Sequence, residues 1–343
     1  MQPLDIVVVI VTYRTARLTI EALRSIESER RIPDLRIRAV VVDNASEDLP
    51  EIAQAVTQNA WSSWVSLVAA PRNGGFAYGN NLGIEHAYTE REPAYVYLLN
   101  PDAQVRPGAI AELVRFLEAQ PDVGIAGSRF ENADGTDWPI AFTFPTLLSE
   151  VDAGLNWGLV TRVLNRWVVA QRMTNSPQQV DWISGASMLI RREVLESIGG
   201  LDENYFLYFE ETDFCYRARR AGFSTWYVPE SRVMHIAGQS TQLTDFSGRP
   251  KRLPTHWFES RRRYFAVTLG VRGAIAVDVA TLVAHSLGAI KRIALGRRRS
   301  AVPHLIRDLV RHSALWTRNR AIPAARCELS LAKKTNRRAI DSG

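Results

Sequence analysis

The first 130 residues alternate between short apolar runs and longer segments whose apolar positions recur at helical spacing. "DIVVVIVTY" (5–13) is a nearly unbroken β-branched run, which predicts a strand buried on both faces. "ARLTIEALRSIES" (16–28) sets Leu18, Ala22, Leu23 and Ile26 along one helical stripe. The pattern then repeats. Strands are predicted at "IRAVVVDNAS" (37–46), "WVSLVAA" (64–70) and "AYVYLLN" (94–100), and helices at "DLPEIAQAV" (48–56) and "PGAIAELVRFLEAQ" (107–120), the last with proline at its start. The loop "PRNGGFAYGNNLGI" (71–84) is expected to open a further helix. Strand and helix in alternation with short links predict an α/β fold with a doubly wound, mainly parallel sheet.

Sheets of that kind bind ligands beyond the carboxyl ends of their strands. Here those ends carry Thr12-Tyr13, Asp43-Asn44-Ala45-Ser46, Asn73-Gly74-Gly75 and Asn100-Pro101-Asp102. Four strand ends thus deliver polar groups to one rim, and this convergence is the main functional signal of the sequence.

Beyond a weakly patterned stretch (130–180), "ASMLIRR" predicts a strand, "EVLESIGG" a helix, "EETDFCYRARRAG" an acidic helix start and "STWYVPESRVMHIAG" a strand. From about residue 255 the chain is expected to be helical. In "RGAIAVDVATLVAHSLGAIKRIALGRRR" the residues Asp278, His285 and Arg292 recur every seven positions, one narrow polar stripe on an otherwise apolar helix. Such a helix either packs on the body or lies in a membrane surface, and the basic "KRIALGRRR" that closes it favours the second.

Charge divides the chain at about residue 248. Residues 249–343 hold 21 basic and 5 acidic side chains, a net +16, which leaves −10 for residues 1–248 of a chain whose total is +6. The division suggests an acidic body, 1–248, and a basic helical region, 249–343, that meets a polyanion such as nucleic acid or an anionic membrane surface. The two cysteines make no disulfide framework and fit a reducing compartment. The apolar run near the start is too short for a secretory signal, and no stretch is expected to give a clean membrane span. The expected location is cytoplasmic, peripheral on the inner face of the cell membrane.

The rim excludes two common nucleotide sites. The turn after the first strand, "TYRTARLT", has no glycine, against a Rossmann dinucleotide fingerprint, and no Gly-Lys-Ser/Thr phosphate loop is present. A carboxylate at a strand tip, braced by proline as Asp102 is, makes a stiff oxygen ligand for a hard divalent cation. In "FEETDF" (209–214) three acids, Glu210, Glu211 and Asp213, crowd a helix start among aromatic residues. Partial desolvation there would raise a carboxylate towards a useful general base. His235, at the end of a predicted strand, could join Asp102 as a metal ligand.

The ordered motifs "VTYR", "VVVDNAS", "RNGGFAYGNNLGI", "YVYLLNPDAQV", "SGASMLIRREVLESIGGLDENYFLYFEETDFCYRARRAG" and "VMHIAGQST" resemble family-2 glycosyltransferases of the GT-A fold, in particular the bacterial rhamnosyltransferase-like branch. The resemblance spans roughly residues 4–240. It implies inverting transfer from a nucleotide sugar with Mg2+ or Mn2+. On this sequence it implies donor contacts from Thr12, Tyr13, Asp43, Asn73, Gly75, Asn80, Asn100 and Asp102. Asn100 stands where the first acid of the Asp-X-Asp motif is expected. The resemblance further implies acceptor contacts from Trp182, Gly185, Glu210 and Asp213, a base at Glu211, and metal ligation by Asp102 and His235. The implied donor is dTDP-rhamnose, and the implied acceptor a lipid-linked or cell-surface glycan.

Three other readings fit parts of the sequence. A nucleotidyltransferase shares the fold class but usually carries a glycine-rich loop with a basic residue near the first strand. A nucleic-acid binder would use the basic tail, which has no recognised reader motif. An inactive nucleotide-sugar-binding relative would follow from Asn100.

Overall fold

The apolar runs of the N-terminal half become strands because each has two faces to bury. The computed structural model describes residues 3–132, 136–138, 141–235, 250–296, 302–316 and 322–329. Its first half runs β1 (Leu4–Thr12), α1 (Ala16–Glu29), β2 (Leu35–Asp43), α2 (Leu49–Gln58), β3 (Val65–Ala69), α3 (Gly75–Glu90), β4 (Tyr95–Leu99), β5 (Ala103–Val105), α4 (Ala109–Ala119) and β6 (Val123–Glu131). There follow β7 (Asp137–Trp138), β8 (Ala141–Phe142), α5 (Leu147–Leu155), α6 (Gly158–Val163), β9 (Gln178–Val180), β10 (Trp182–Ile183), β11 (Ser187–Arg191) and α7 (Arg192–Ile198). Then come α8 (Glu210–Arg220), β12 (Ser224–His235), α9 (Thr255–Ala294) and α10 (Leu305–Arg311).

Successive residues of a strand point to opposite faces. In β1, Ile6, Val8 and Ile10 join the core that holds residues of α1, α2 and α4 on one side of the sheet, while Val7 and Val9 join the core that holds residues of α3, α7 and α8 on the other. The sheet therefore lies between two helical layers. Its strand order is β3-β2-β1-β4-β11-β6-β12-β5, and β3, β2, β1 and β4 run parallel. The second half is mixed: β11 is antiparallel to both β4 and β6, and β5 is antiparallel to β12.

Pro229 lies inside β12, where it can donate no ladder hydrogen bond. The pairing of β12 with β6 shifts register between Val228 and Arg232, and the strand then reaches β5, setting His235 opposite Ala103. That irregularity carries His235 to the residue beside Asp102.

The helix α9 is two segments meeting at Gly270, whose φ of 72° is left-handed. Arg261 and Asp278, one on each segment, are joined at 2.6 Å. A straight helix would hold residues 17 apart about 25 Å from one another, so the second segment folds back on the first. Arg261 is buried and also donates to Glu150 of α5 and to Thr281. Close approach of backbones completes the joint: a Cβ on Gly288 would lie 2.1 Å from the carbonyl oxygen of Gly154.

The polar stripe on this helix thus faces the protein. Asp278 is buried, and burial pushes His285 below the ordinary imidazole pKa. Packing on the body and lying in a membrane surface were alternatives in the sequence, with the second favoured; in the structure the polar side of the second segment packs on the body, while Val279, Val283, Leu287 and Ile290 on its apolar side stay exposed. The expectation that no stretch is long and apolar enough for a span is also corrected, since α9 meets that test by length and composition. The predicted boundary at residue 248 lies outside the described residues.

Candidate active site

The strand ends meet through side chains that grip neighbouring turns. At the end of β1 the hydroxyl of Thr12 donates to Asp48 Oδ2 at 2.5 Å, and the Thr15 amide donates to the same oxygen at 2.9 Å. Thr12 is fully buried, so it shapes the β1–α1 turn, while Tyr13 stands exposed at the rim. Asp43 is buried, and its Oδ1 accepts from the amide and hydroxyl of Ser46 at 2.9 and 2.6 Å.

Asn44 ties the second strand end to the third. Its side-chain amide donates to Asn73 Oδ1 at 3.1 Å and to the carbonyl of Gly75 at 3.0 Å, while its Oδ1 accepts from the Gly74 amide at 3.2 Å. Asn80 is buried within α3, where it donates to the carbonyl of Phe76. The sequence places Asn44 on the rim without a specific role, and it does not single out Asp48. The available signal was an amide or carboxylate in a turn directly after a buried strand, a type that bonds nearby backbone readily.

Gly75 joins this rim turn to the loop before α8. Its φ is 87°, and a Cβ there would lie 1.9 Å from the carbonyl oxygen of Phe206. The Phe76 amide donates to that same carbonyl at 2.9 Å. Gly75→Ala has both a backbone and a steric penalty, so it is expected to cost about 2–4 kcal/mol of stability. Urea unfolding measures this; a loss below about 0.5 kcal/mol, the range of neutral surface changes, would mean the two loops part freely.

The loop that receives this contact leads into the acidic cluster. Tyr208 and Phe209 both have φ of 69°, a strained pair directly before Glu210 and Glu211. Both glutamates bury an oxygen, Oε2, that has no hydrogen-bond partner. Burial raises the carboxyl of Glu211 to about 7, partly offset by hydrogen bonds from its own amide and that of Gly185. Burial and the neighbouring Glu211 charge push Glu210 well above the carboxylate range. Two adjacent buried acids do not both ionise cheaply, and they titrate as a pair.

Asp213 plays a different part. It accepts from Arg217 Nε at 2.7 Å, and Arg217 also donates to the carbonyls of Ile198 and Gly200. It therefore braces the loop between α7 and α8. Gly185 lies against Phe76 and Glu211, so a Cβ there would come 2.9 Å from the Phe76 ring and 3.8 Å from Glu211 Cβ. Trp182 stacks on Phe142 at 4.2 Å and donates to the carbonyl of Thr143.

The turn Asn100-Pro101-Asp102 is fixed by two backbone hydrogen bonds, from the Asn100 amide to Ala186 and from the Ala103 amide to Asn100. Asp102 is 1% exposed, and its Oδ1 lies 3.2 Å from Nε2 of His235, whose ring stacks on Phe130. A buried carboxylate oxygen and imidazole nitrogen at this spacing suit two ligands of one divalent cation. Among the described residues no third His, Cys, Asp or Glu joins them. Further ligands would come from a bound diphosphate.

A chain of short contacts thus runs from Asp43 through Asn44, Asn73 and Gly75 to Phe206, and from Phe76 through Gly185 to Glu211. The contact between Asn100 and Ala186 brings the Asp102–His235 pair to the same edge. The family Glycosyltransferase like family 2 matches residues 3–252. The chain belongs to that family.

This family-2 glycosyltransferase is 30% identical over 221 residues to the N-acetylglucosaminyl-diphospho-decaprenol L-rhamnosyltransferase of Mycobacterium tuberculosis, covering 60% of this chain and 68% of the relative. It is 24% identical over 265 residues to the dTDP-rhamnosyl transferase RfbF of Shigella flexneri, covering 77% of each. Among solved structures, the mannosyltransferase PcManGT from Pyrobaculum calidifontis, in complex with GDP-Man and Mn2+, aligns with a TM-score of 0.52 at 18% identity. That alignment covers 93% of this chain and 82% of the other, and what it shares with this family-2 glycosyltransferase is the GT-A fold.

Proposed function

We propose that this chain is an inverting, metal-dependent hexosyltransferase that moves L-rhamnose from dTDP-rhamnose to a hydroxyl of a lipid-linked or cell-surface glycan at the inner face of the cell membrane. The observation that carries the reading is the placement of Glu211. Its carboxyl, raised to about 7 by burial, lies at the junction of the donor-side turn and the loop bearing Gly185. The rhamnosyltransferase relatives support the choice of donor.

In the proposed reaction Asp43, through the oxygen not used by Ser46, accepts from the nucleobase, and Tyr13 offers the base an exposed ring. Glu211, ionised, takes the proton of the acceptor hydroxyl. The acceptor oxygen forms its bond to the anomeric carbon from the face opposite the diphosphate. The carbon–oxygen bond to phosphate breaks, and its electron pair leaves with the diphosphate. Asp102 and His235 would hold Mg2+ or Mn2+, which would stabilise the charge gathering on the leaving group. Asn100 adds no charge, so the protein offers that cation a single carboxylate. Trp182, Gly185 and Glu210 would border the acceptor, and Asp213 would keep α8 in place.

The test is to incubate the purified protein with a panel of nucleotide sugars and Mg2+ or Mn2+ and to measure release of the nucleoside diphosphate. Slow hydrolysis of dTDP-rhamnose above all other donors is expected. Turnover of a different sugar would replace the donor, and tight binding with no release under any condition would favour a catalytically silent relative.

A further inference from the structure

The second segment of α9 is built inside out. Its polar residues Asp278 and Thr281 are buried against Arg261 and α5, while Val279, Val283, Leu287 and Ile290 face outward, between 46% and 63% exposed. These four lie at intervals of four, four and three residues, which places them along one side of a helix. Water gains nothing from such a surface, and a solvated helix normally shows the opposite arrangement.

A neighbouring element extends the surface. On α6, Leu159 is 81% and Val163 78% exposed. Lys291 at the end of α9 donates to the carbonyl of Asn156 at 2.5 Å and lies 5.7 Å from the Trp157 ring, so the two outward faces adjoin. Charge around them has one sign. Arg162 and Arg166 on and just beyond α6 are exposed, and Lys291 lies at the end of α9. The acid of the second segment and those of α5 are turned inward: Asp278 and Glu150 pair with Arg261, and Asp152 accepts from Thr161.

We infer that the joint outer face of α6 and the second segment of α9 is a docking surface for an anionic lipid bilayer, lying in the plane of the interface. An apolar ridge fringed by cations and free of acids has the chemistry of an interfacial helix. A second copy of this chain is the poorer occupant, because pairing this face with itself would set cations against cations with no carboxylate between them. The helix does not cross the bilayer, because its other side is committed to Arg261, Glu150 and Gly154. The inference stands on the surface alone and does not require the donor or acceptor proposed above.

The test is flotation of the full chain with vesicles of phosphatidylcholine, alone or mixed with phosphatidylglycerol, combined with light scattering in the absence of lipid. Wild type is expected to float with the anionic vesicles and to remain with the soluble fraction when they are neutral. Leu287→Asp with Ile290→Asp, and separately Leu159→Asp with Val163→Asp, should each reduce the floating fraction at least about tenfold, because a charge buried at the interface is costly. Thermal unfolding midpoints should stay within a few degrees of wild type, since all four side chains are exposed. Undiminished flotation of both variants would assign binding to the basic tail and overturn the inference. So would wild type that ignores anionic vesicles, or a dimer in lipid-free buffer that either pair of substitutions dissociates. None of these readouts depends on transferase activity, so the surface and the proposed reaction can fail separately.

Discussion

Glu211→Gln is expected to lower the turnover number about a thousandfold, the middle of the range that a positioned general base contributes, with little change in nucleotide affinity. The amide keeps the shape and most contacts of the carboxyl but takes no proton. Wild-type activity should rise with pH through about 7, because burial holds the Glu211 carboxyl there and only the ionised form is the base. In the variant that limb should vanish, leaving a flat residual rate.

Stability gives an independent reading of the same group. Its folded pKa lies above the ordinary 4.5, so its contribution is fully present below about 4.5 and is lost as pH rises through about 7. Glu211→Gln should therefore be the more stable protein at pH 8, by about 3 kcal/mol, with the difference gone near pH 4. Thermal melts at the two pH values, alongside initial-rate kinetics, check both halves. A variant retaining most of wild-type turnover would remove Glu211 from the chemistry.

Arg261→Ala is expected to cost about 3–5 kcal/mol, the usual penalty for removing one partner of a buried ion cluster. The arginine is 2% exposed and serves Glu150, Asp278 and Thr281 together. Without it, two carboxylates remain near one another in a site from which water is largely excluded. The comparison is Arg24→Ala, which breaks an exposed pair with Glu21 and should change stability by less than about 0.5 kcal/mol. Urea unfolding of both variants at pH 7 measures the contrast. Equal, small effects would show that the two segments of α9 are held by apolar packing alone.

The parts of this fold that were legible in the sequence are those whose burial leaves a simple pattern. The runs that became β1, β2 and β4 are buried on both faces and could be little else. The direction of β11 left no such mark, because a strand reads the same in either orientation, and β5 is three residues long. Asp102 and His235 could each be singled out by type and position. That they meet depends on the shift in β12 at Pro229, which places His235 opposite Ala103. Asn44 and Asp48 act through bonds to neighbouring turns that no spacing rule reveals. On α9 the period of the polar stripe was visible, but periodicity shows only that two sides differ and does not say which one meets water. The orientation came from Arg261, seventeen residues away along the chain.

The hydrogen bond between Phe76 and Phe206 has a consequence for redesign. One carbonyl is shared by the turn proposed to meet the nucleotide and the loop that leads to Glu211, the proposed base, and Gly75 leaves no slack between them. A chimaera that imports only a foreign nucleotide loop would misalign proton removal even where every imported contact is right. Swapping sugar preference in this scaffold therefore calls for transplanting both loops as a matched set.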